Sequence, residues 1–315
     1  CSRLSPEETG YFCVDLLGNA YVLNPSDGEC IWRISPEEIE GLEDDGFNDF
    51  LPVSEETAVL ISSKSIVYVN WQEKNVNRII QSEEDFTRGS NTVTVWNTRI
   101  ALTNGDKVWV YDLETGKSLQ EVQYGGDEYQ SYNPKSLSFS EDGNMLAIGV
   151  SVDHYDVEPQ KGLMVLSVND GSIRMLSELE TEKVLFLGNE AAAAVQYQYP
   201  DREEASETAP KRSFSVTVYN MENGEPLWTS ASYDTQAMNN PCGLSVENME
   251  VNGEMQDVAV AAVKDRVFIL GPETGEILQD RRYPNNISGI YKFDDTRFLI
   301  GLENGSIRLC TIEQM

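Results

Sequence analysis

Apolar and polar residues alternate with period two along most of the chain, and the alternating runs come in pairs. In VWVYDLETGKSLQEV, residues 108–122, one run ends in an acidic turn closed by Gly116 and a second run follows. This is the pattern of a β-hairpin with one face toward a core. It recurs as AYVLNPSDGECIWRI at 20–34, SIVYVNWQEKNVNRII at 65–80, GLMVLSVNDGSIRMLS at 162–177, FSVTVYNMENGEPLWTS at 214–230 and RVFILGPETGEILQD at 266–280. The turn glycines fall at Gly28, Gly116, Gly171, Gly224 and Gly275. The first gap of 88 is two units of 44, because the 65–80 copy lacks its glycine.

Another apolar strand precedes each hairpin, as in TRIALTN at 97–103, MLAIGVS at 145–151, EAAAAVQY at 190–197 and DVAVAAV at 257–263. A further strand often precedes that one: SLSFSEDGNMLAIGV at 136–150 holds two strands joined by the Asp142-Gly143 turn. Each unit therefore reads as four antiparallel strands, a to d. Four-stranded units repeating near 44 residues predict an all-β fold, a β-propeller, since each sheet buries its faces only against its neighbours. Six c–d hairpins are visible, and a seventh unit begins in SGIYKFDDTRFLIGLENGSIRLCTI at 288–312. GYFCVDLLGNAYVL enters directly as strands b and c of the first unit. The expectation is a single domain over 1–315, a seven-bladed ring of four-stranded blades. Residues 1–9 are expected to close it, as the missing d strand of the last blade or the missing a strand of the first.

SFSEDGNMLAIGV resembles the core of a tryptophan-aspartate (WD) repeat, and Tyr111-Asp112 stand where that family's Trp-Asp pair would be. Trp32 and Trp228, late in strand d, resemble the blades of quinoprotein-like propellers. The chain departs from the WD pattern in having one histidine, His154, so the family's Gly-His dipeptide cannot recur. It departs from quinone-dependent dehydrogenases of similar fold in lacking an adjacent cysteine pair. No cofactor is carried over. Bacterial WD-like propellers are often attached to signalling or sensor domains, which the resemblance allows here.

Charge narrows the partners. Lys and Arg total 23 against 53 Asp and Glu, and the formal charge of −30 repels nucleic acid and anionic lipid. No run approaches the length of a membrane-spanning helix. Five cysteines, Cys1, Cys13, Cys30, Cys242 and Cys310, show no metal-ligand spacing and read as free thiols, with Cys13, Cys30 and Cys310 in apolar strand patterns. Cys1-Ser2 would also suit the first residue of a mature lipoprotein.

Enzymatic chemistry finds little to work with. One histidine, in the polar loop VDHYDVEP, removes most zinc and Ser-His schemes. Fifty-three acids guarantee some pair at a glycosidase separation, so such a pair carries no information. EDDGFND at 43–49 looks like a calcium loop but lacks the EF-hand ligand pattern, and no metal is expected.

The two ends of the strands differ. The c–d turns (SDG, ETG, NDG, ENG, ETG) are tight, whereas the d–a connections and b–c turns carry the length: 35–52, 82–91, 124–134, 152–162 and 199–212. Ser35, Pro36 and Glu38 fit an N-cap, a first-turn proline and a capping box, predicting a short helix through Glu40. The Glu-, Ser- and Thr-rich stretch from Asp201 to Ala209 is expected to be a mobile loop. These segments hold Phe47, Phe50, Phe86, Tyr124, Tyr129, Tyr132, Tyr155 and Tyr199 among carboxylates including Asp127, Glu128 and Asp156. Aromatics anchor interfaces and carboxylates steer a basic partner, so these residues form the candidate binding face; the same rings could instead fold under their own loops. The sequence thus points to a non-enzymatic interaction or sensor scaffold, cytoplasmic as part of a larger protein. The alternatives are a hydrolytic propeller with channel carboxylates and an extracytoplasmic lipoprotein assembly scaffold anchored at Cys1.

Overall fold

The computed structural model describes residues 2–4, 9–42, 45–86, 92–105, 107–124, 132–152, 162–198, 212–230, 232–235, 242–251, 253–271 and 277–311. They form seven antiparallel sheets with strands in sequence order, grouped into two compact units, Cys1–Pro134 with Val168–Gly171 and Lys135–Ser167 with Ser172–Met315. Among the described residues, no helix is long and apolar enough to cross a membrane.

In the first unit, sheet 1 runs Ser2–Leu4, Tyr11–Val14, Ala20–Leu23 and Cys30–Ile34. Sheet 2 comprises Asp49–Pro52, Thr57–Ile61, Ser65–Asn70 and Asn75–Gln81. Sheet 3 comprises Thr92–Trp96, Arg99–Thr103, Lys107–Asp112 and Ser118–Gln123. Ser2–Leu4 pairs with Tyr11–Val14, so the N-terminal segment takes the place of strand a of sheet 1. Sheet 2 is buried on both faces: Ala58, Leu60, Val67 and Val69 pack with Phe12 and Val22 of sheet 1, while Val59, Ile61, Ile66 and Tyr68 pack with Ile100, Leu102 and Trp109 of sheet 3. This two-sided burial is why strand b reads TAVLI without polar alternation.

In the second unit, apart from the first three residues of its strand a, sheet 4 comprises Tyr132–Phe139, Met145–Val152, Leu163–Ser167 and Ile173–Ser177. Sheet 5 has Glu180–Leu187, Ala191–Gln198, Arg212–Asn220 and Pro226–Thr229, with a short fifth strand, Tyr233–Thr235, paired to Arg212–Phe214. Sheet 6 is Cys242–Val251, Glu254–Val263, Arg266–Leu270 and Ile277–Arg282. Sheet 7 is Ile287–Asp294, Arg297–Leu302 and Ile307–Thr311, three strands among the described residues. The strand-b residues that the pattern places in the core, Leu60, Leu102, Ile148, Ala191 to Val195, Val260 and Ile300, are all buried. Ser138 stitches sheet 4 to sheet 5, its hydroxyl accepting from the Phe186 amide at 3.0 Å.

The c–d turns explain the repeat's punctuation. Gly28, Gly116, Gly171 and Gly224 all sit at φ between 71° and 80°, a region that costs other residues energy. Strand c ends in a side chain that caps the turn: Asn24, Asn70, Asp112 and Asn220 each accept from a backbone amide two or three residues on. Asp112 of the Tyr-Asp pair therefore serves its own turn, accepting from the Thr115 amide and hydroxyl at 2.7 and 2.6 Å. In sheet 2, which lacks the glycine, exposed Lys74 takes the left-handed position at φ 59°. Lys74→Gly should stabilise the chain by about 1 kcal/mol, because relief of the left-handed strain outweighs glycine's entropy. A lower midpoint in urea would show that the turn is relaxed with lysine.

Candidate functional site

The two strand ends of the sheets are built differently, and the c–d end uses its polar arms internally. Within the first unit, Arg78 lies across Gly116 of the next turn, where a β-carbon would stand 2.9 Å from Arg78 Cδ, and Gln120 Nε2 donates to the Val168 carbonyl at 2.9 Å. Within the second, the Arg174 guanidinium donates to the Met221 and Glu222 carbonyls at 2.5 and 3.0 Å. Each arm comes from strand d and reaches the following c–d turn, Gln120 and Arg174 by hydrogen bonds and Arg78 by packing.

At the other end, the first unit has two neighbouring features. One is the b–c turn of sheet 1, Asp15-Leu16-Leu17-Gly18-Asn19. Asp15 Oδ1 accepts from the Leu17 and Asn19 amides at 2.8 and 2.9 Å, and Oδ2 from Asn19 Nδ2 and the Tyr21 hydroxyl at 3.0 and 2.9 Å. The Asn19 bonds, with those from Tyr21 and Leu17, hold the Asp15 carboxyl down at about 2. Gly18 adopts φ 80° and touches Gly46 so closely that a β-carbon would stand 2.5 Å from Gly46 Cα. The Phe47 amide donates to the Gly18 carbonyl at 3.0 Å, joining this turn to the 35–48 connection. Arg33 donates to Asn19 Oδ1 at 3.2 Å and lies 4.0 Å from Glu38.

The second feature is an open cleft of about 370 Å³ lined by Gly41, Leu42, Asp45, Ser63, Lys64, Ser65, Gln81 and Ser82. Its residues come from the 35–48 connection, the b–c turn of sheet 2 and the end of its strand d. Asp45 accepts from the Ser63 hydroxyl at 2.7 Å and from the Ser63 and Lys64 amides at 3.3 Å each. Burial raises the Asp45 pKa, but the bonds from Ser63 and Ser62 outweigh it and the net shift is downward. Asp45 of EDDGFND is thus spent on the Ser62–Lys64 turn, Asp49 accepts from the Phe50 amide, and Glu43 and Asp44 lie outside the described residues. Beyond the cleft, Lys107 Nζ bridges Glu84 and Glu121 at 2.6 and 2.8 Å, which raises its pKa. Among the described residues, every carboxylate with a shifted pKa, Asp15, Asp45, Asp112, Asp142 and Asp294, is shifted down. No group of three His, Cys, Asp or Glu residues among them could hold a metal ion.

The structure revises the aromatic list. Phe47, Phe50, Phe86 and Tyr124 are 3%, 1%, 1% and 3% exposed and form core rather than partner-facing surface. Phe50 meets Phe12 edge-on at 4.8 Å, Phe86 meets Trp109 at 5.2 Å, and the Tyr124 hydroxyl is 2.5 Å from that of Thr103. Phe50 stands in strand a of sheet 2 itself, and the connections fold Phe47, Phe86 and Tyr124 back onto the core, because an apolar ring gains more there than in water. Tyr132 begins strand a of sheet 4. Asp127, Glu128, Tyr129, Tyr155, Asp156 and Tyr199 lie outside the described residues, as do His154 and the Asp201–Ala209 stretch. The helix expected through Glu40 is a single 3-10 turn, Pro36–Glu38, and Ser35 makes no side-chain cap. Its carbonyl instead accepts from the Glu38 amide, the i to i+3 bond of a 3-10 turn. Cys310 is buried and Cys13 half-buried, but Cys30 is exposed, opening strand d at the sheet edge.

Sequence reasoning passed over Leu16 and Leu17, which are fully exposed and 83% exposed. Their signal was present in DLLGN: two leucines interrupting the alternation, bracketed by Asp15 and Gly18-Asn19.

No family model matches the chain, and no curated protein matches it by sequence. Among solved structures it is similar to BamB from Moraxella catarrhalis, a quinoprotein-like β-propeller, with a TM-score of 0.57 and 12% identity over 100% of this chain and 83% of that one. This likeness establishes the β-propeller fold.

Proposed function

We propose that the chain is a non-enzymatic protein-interaction scaffold, its seven sheets the blades of one ring, and that it belongs to the extracytoplasmic lipoprotein assembly type. The observation that carries this reading is the contrast between strand ends. At the c–d end Gln120 and Arg174 are consumed in holding neighbouring turns, and Arg78 packs over another. The opposite end of the first unit carries a rigid turn and an open cleft, features a partner can engage. The likeness to BamB supports the assembly-scaffold form over a cytoplasmic module. The partner is a protein, and the formal charge of −30 favours a basic one.

The test uses the protein expressed from its own gene in its own host, with a photo-crosslinking residue at exposed Glu37 or, as control, at exposed Asp27 of a c–d turn. A discrete protein adduct from position 37 alone, together with an acylated Cys1 by mass spectrometry, is the expected result. Adducts from position 27 alone would overturn the choice of end, and an unmodified Cys1 would overturn the lipoprotein form.

A further inference from the structure

The repeat supplies its own control for the b–c turns. In sheets 2, 3, 6 and 7 the described residues of this turn are polar or glycine: Ser62-Ser63-Lys64, Asn104-Gly105, Lys264-Asp265 and Glu303-Asn304-Gly305-Ser306. Sheet 1 alone among these places two large apolar side chains there, and they are exposed. A turn needs Asp15, Gly18 and Asn19 for its geometry, but nothing in that geometry asks for leucine at the two positions between. Leaving both in water forgoes the stabilisation that burying either would bring. An isolated exposed leucine needs no explanation; an adjacent pair held at a fixed tip does.

The tip is fixed from three directions. Asp15 holds its amides, Arg33 holds Asn19, and the Gly18–Gly46 contact seats it on the 35–48 connection. Such preorganisation removes the ordering cost that usually weakens loop contacts. The adjoining surface is acidic: Glu37, Glu38 and Glu40 are exposed on the connection, and Arg33 beside them is committed to Asn19 and Glu38.

We infer that Leu16 and Leu17 form the apolar anchor of the interaction surface, engaging an amphipathic protein segment whose apolar stripe covers the two leucines and whose flanking Lys or Arg residues face Glu37, Glu38 and Glu40. The inference rests on the scaffold reading and names its contact point. Membrane insertion is the rival use of an exposed leucine pair, and the chain's charge opposes it at anionic surfaces.

The probe is a library of short random peptides displayed on phage and panned on the 1–315 chain, with the recovered consensus resynthesised for fluorescence anisotropy. Peptides combining an apolar core with basic flanks should be enriched. Leu16→Ser/Leu17→Ser should bind the consensus at least about tenfold more weakly, the loss expected of a central contact. Leu16→Met/Leu17→Met should stay within about threefold, since methionine conserves apolar volume. Glu37→Gln/Glu38→Gln/Glu40→Gln should lose most of its deficit relative to wild type as salt rises to physiological strength. Thermal melting of all variants should match wild type, because the side chains are exposed. Equal binding by the serine variant would overturn the inference and leave the scaffold reading intact. Failure to enrich any peptide would overturn it too, while that reading stands on the crosslinking result. Binding of wild type but not the serine variant to phosphatidylcholine vesicles would replace the protein segment by a lipid surface.

Discussion

Phe50→Ala should lower the unfolding free energy by about 3–5 kcal/mol, the range for deleting a fully buried aromatic ring. The ring is 1% exposed in strand a of sheet 2 and packs edge-on against Phe12, which meets Trp71 edge-on at 5.5 Å. Ala58, Leu60, Val67 and Val69 line the same cluster, and extended strands on both sides keep their backbones from collapsing into the void. The loss therefore combines the transfer free energy of the ring with a residual cavity. Urea denaturation followed by tryptophan fluorescence reads it directly, since Trp71 borders the site. This measurement separates two readings of one residue. A Phe50 that anchored a partner would leave the denaturation midpoint in place and weaken binding. A Phe50 that is core shifts the midpoint, and any binding defect follows only from loss of folded protein.

The aromatic face shows where a sequence stops speaking. Period two assigns the two faces of a strand, and the unbroken apolar runs of strand b in sheets 2, 4 and 5 place Leu60, Ile148 and Ala192 in the interior. The turns are legible for the same local reason: left-handed geometry selects glycine, so Gly28, Gly116, Gly171 and Gly224 mark the repeat. Even the exception is local, for Lys74 carries the strain where glycine is missing. The d–a connections have no such period. Whether Phe47 points out or folds onto sheet 1 depends on where Gly46 meets Gly18, a contact between segments almost thirty residues apart in the chain. Residue type then misleads in both directions. Phe47, Phe50, Phe86 and Tyr124, counted as anchors, turn out to be buried, and Leu16 and Leu17, passed over in the sequence, stand in solvent. The role of Ser2–Leu4 was likewise open between two sheet edges, because a strand of three residues has too little pattern to choose its partner.

Ile148→Asp should have the largest effect in the second unit, removing about 4 kcal/mol or more at neutral pH. Ile148 is fully buried in strand b of sheet 4, opposite buried Met164, with Leu146 and Val150 beside it on the same face. None of these side chains can donate a hydrogen bond to a carboxylate, and the neighbouring backbone amides are committed to the sheet. The charge must therefore be buried unpaired or the carboxyl must take up a proton, which raises its pKa in the folded state. The sign of the pH dependence follows. A carboxyl whose folded pKa lies above its unfolded value of about 3.9 is least damaging below that value, and its penalty grows as pH rises toward the folded pKa. The gap between wild type and Ile148→Asp should thus be smaller at pH 4 than at pH 7. Ile148→Asn, polar but without a proton to gain, should show a gap that varies little between the two. Ile148→Val, which deletes one methylene, should cost only about 1 kcal/mol at either pH. Equal stability of the aspartate variant and wild type at pH 7 would mean that strand b of sheet 4 presents position 148 to water, and the burial of that strand on both faces would then be wrong.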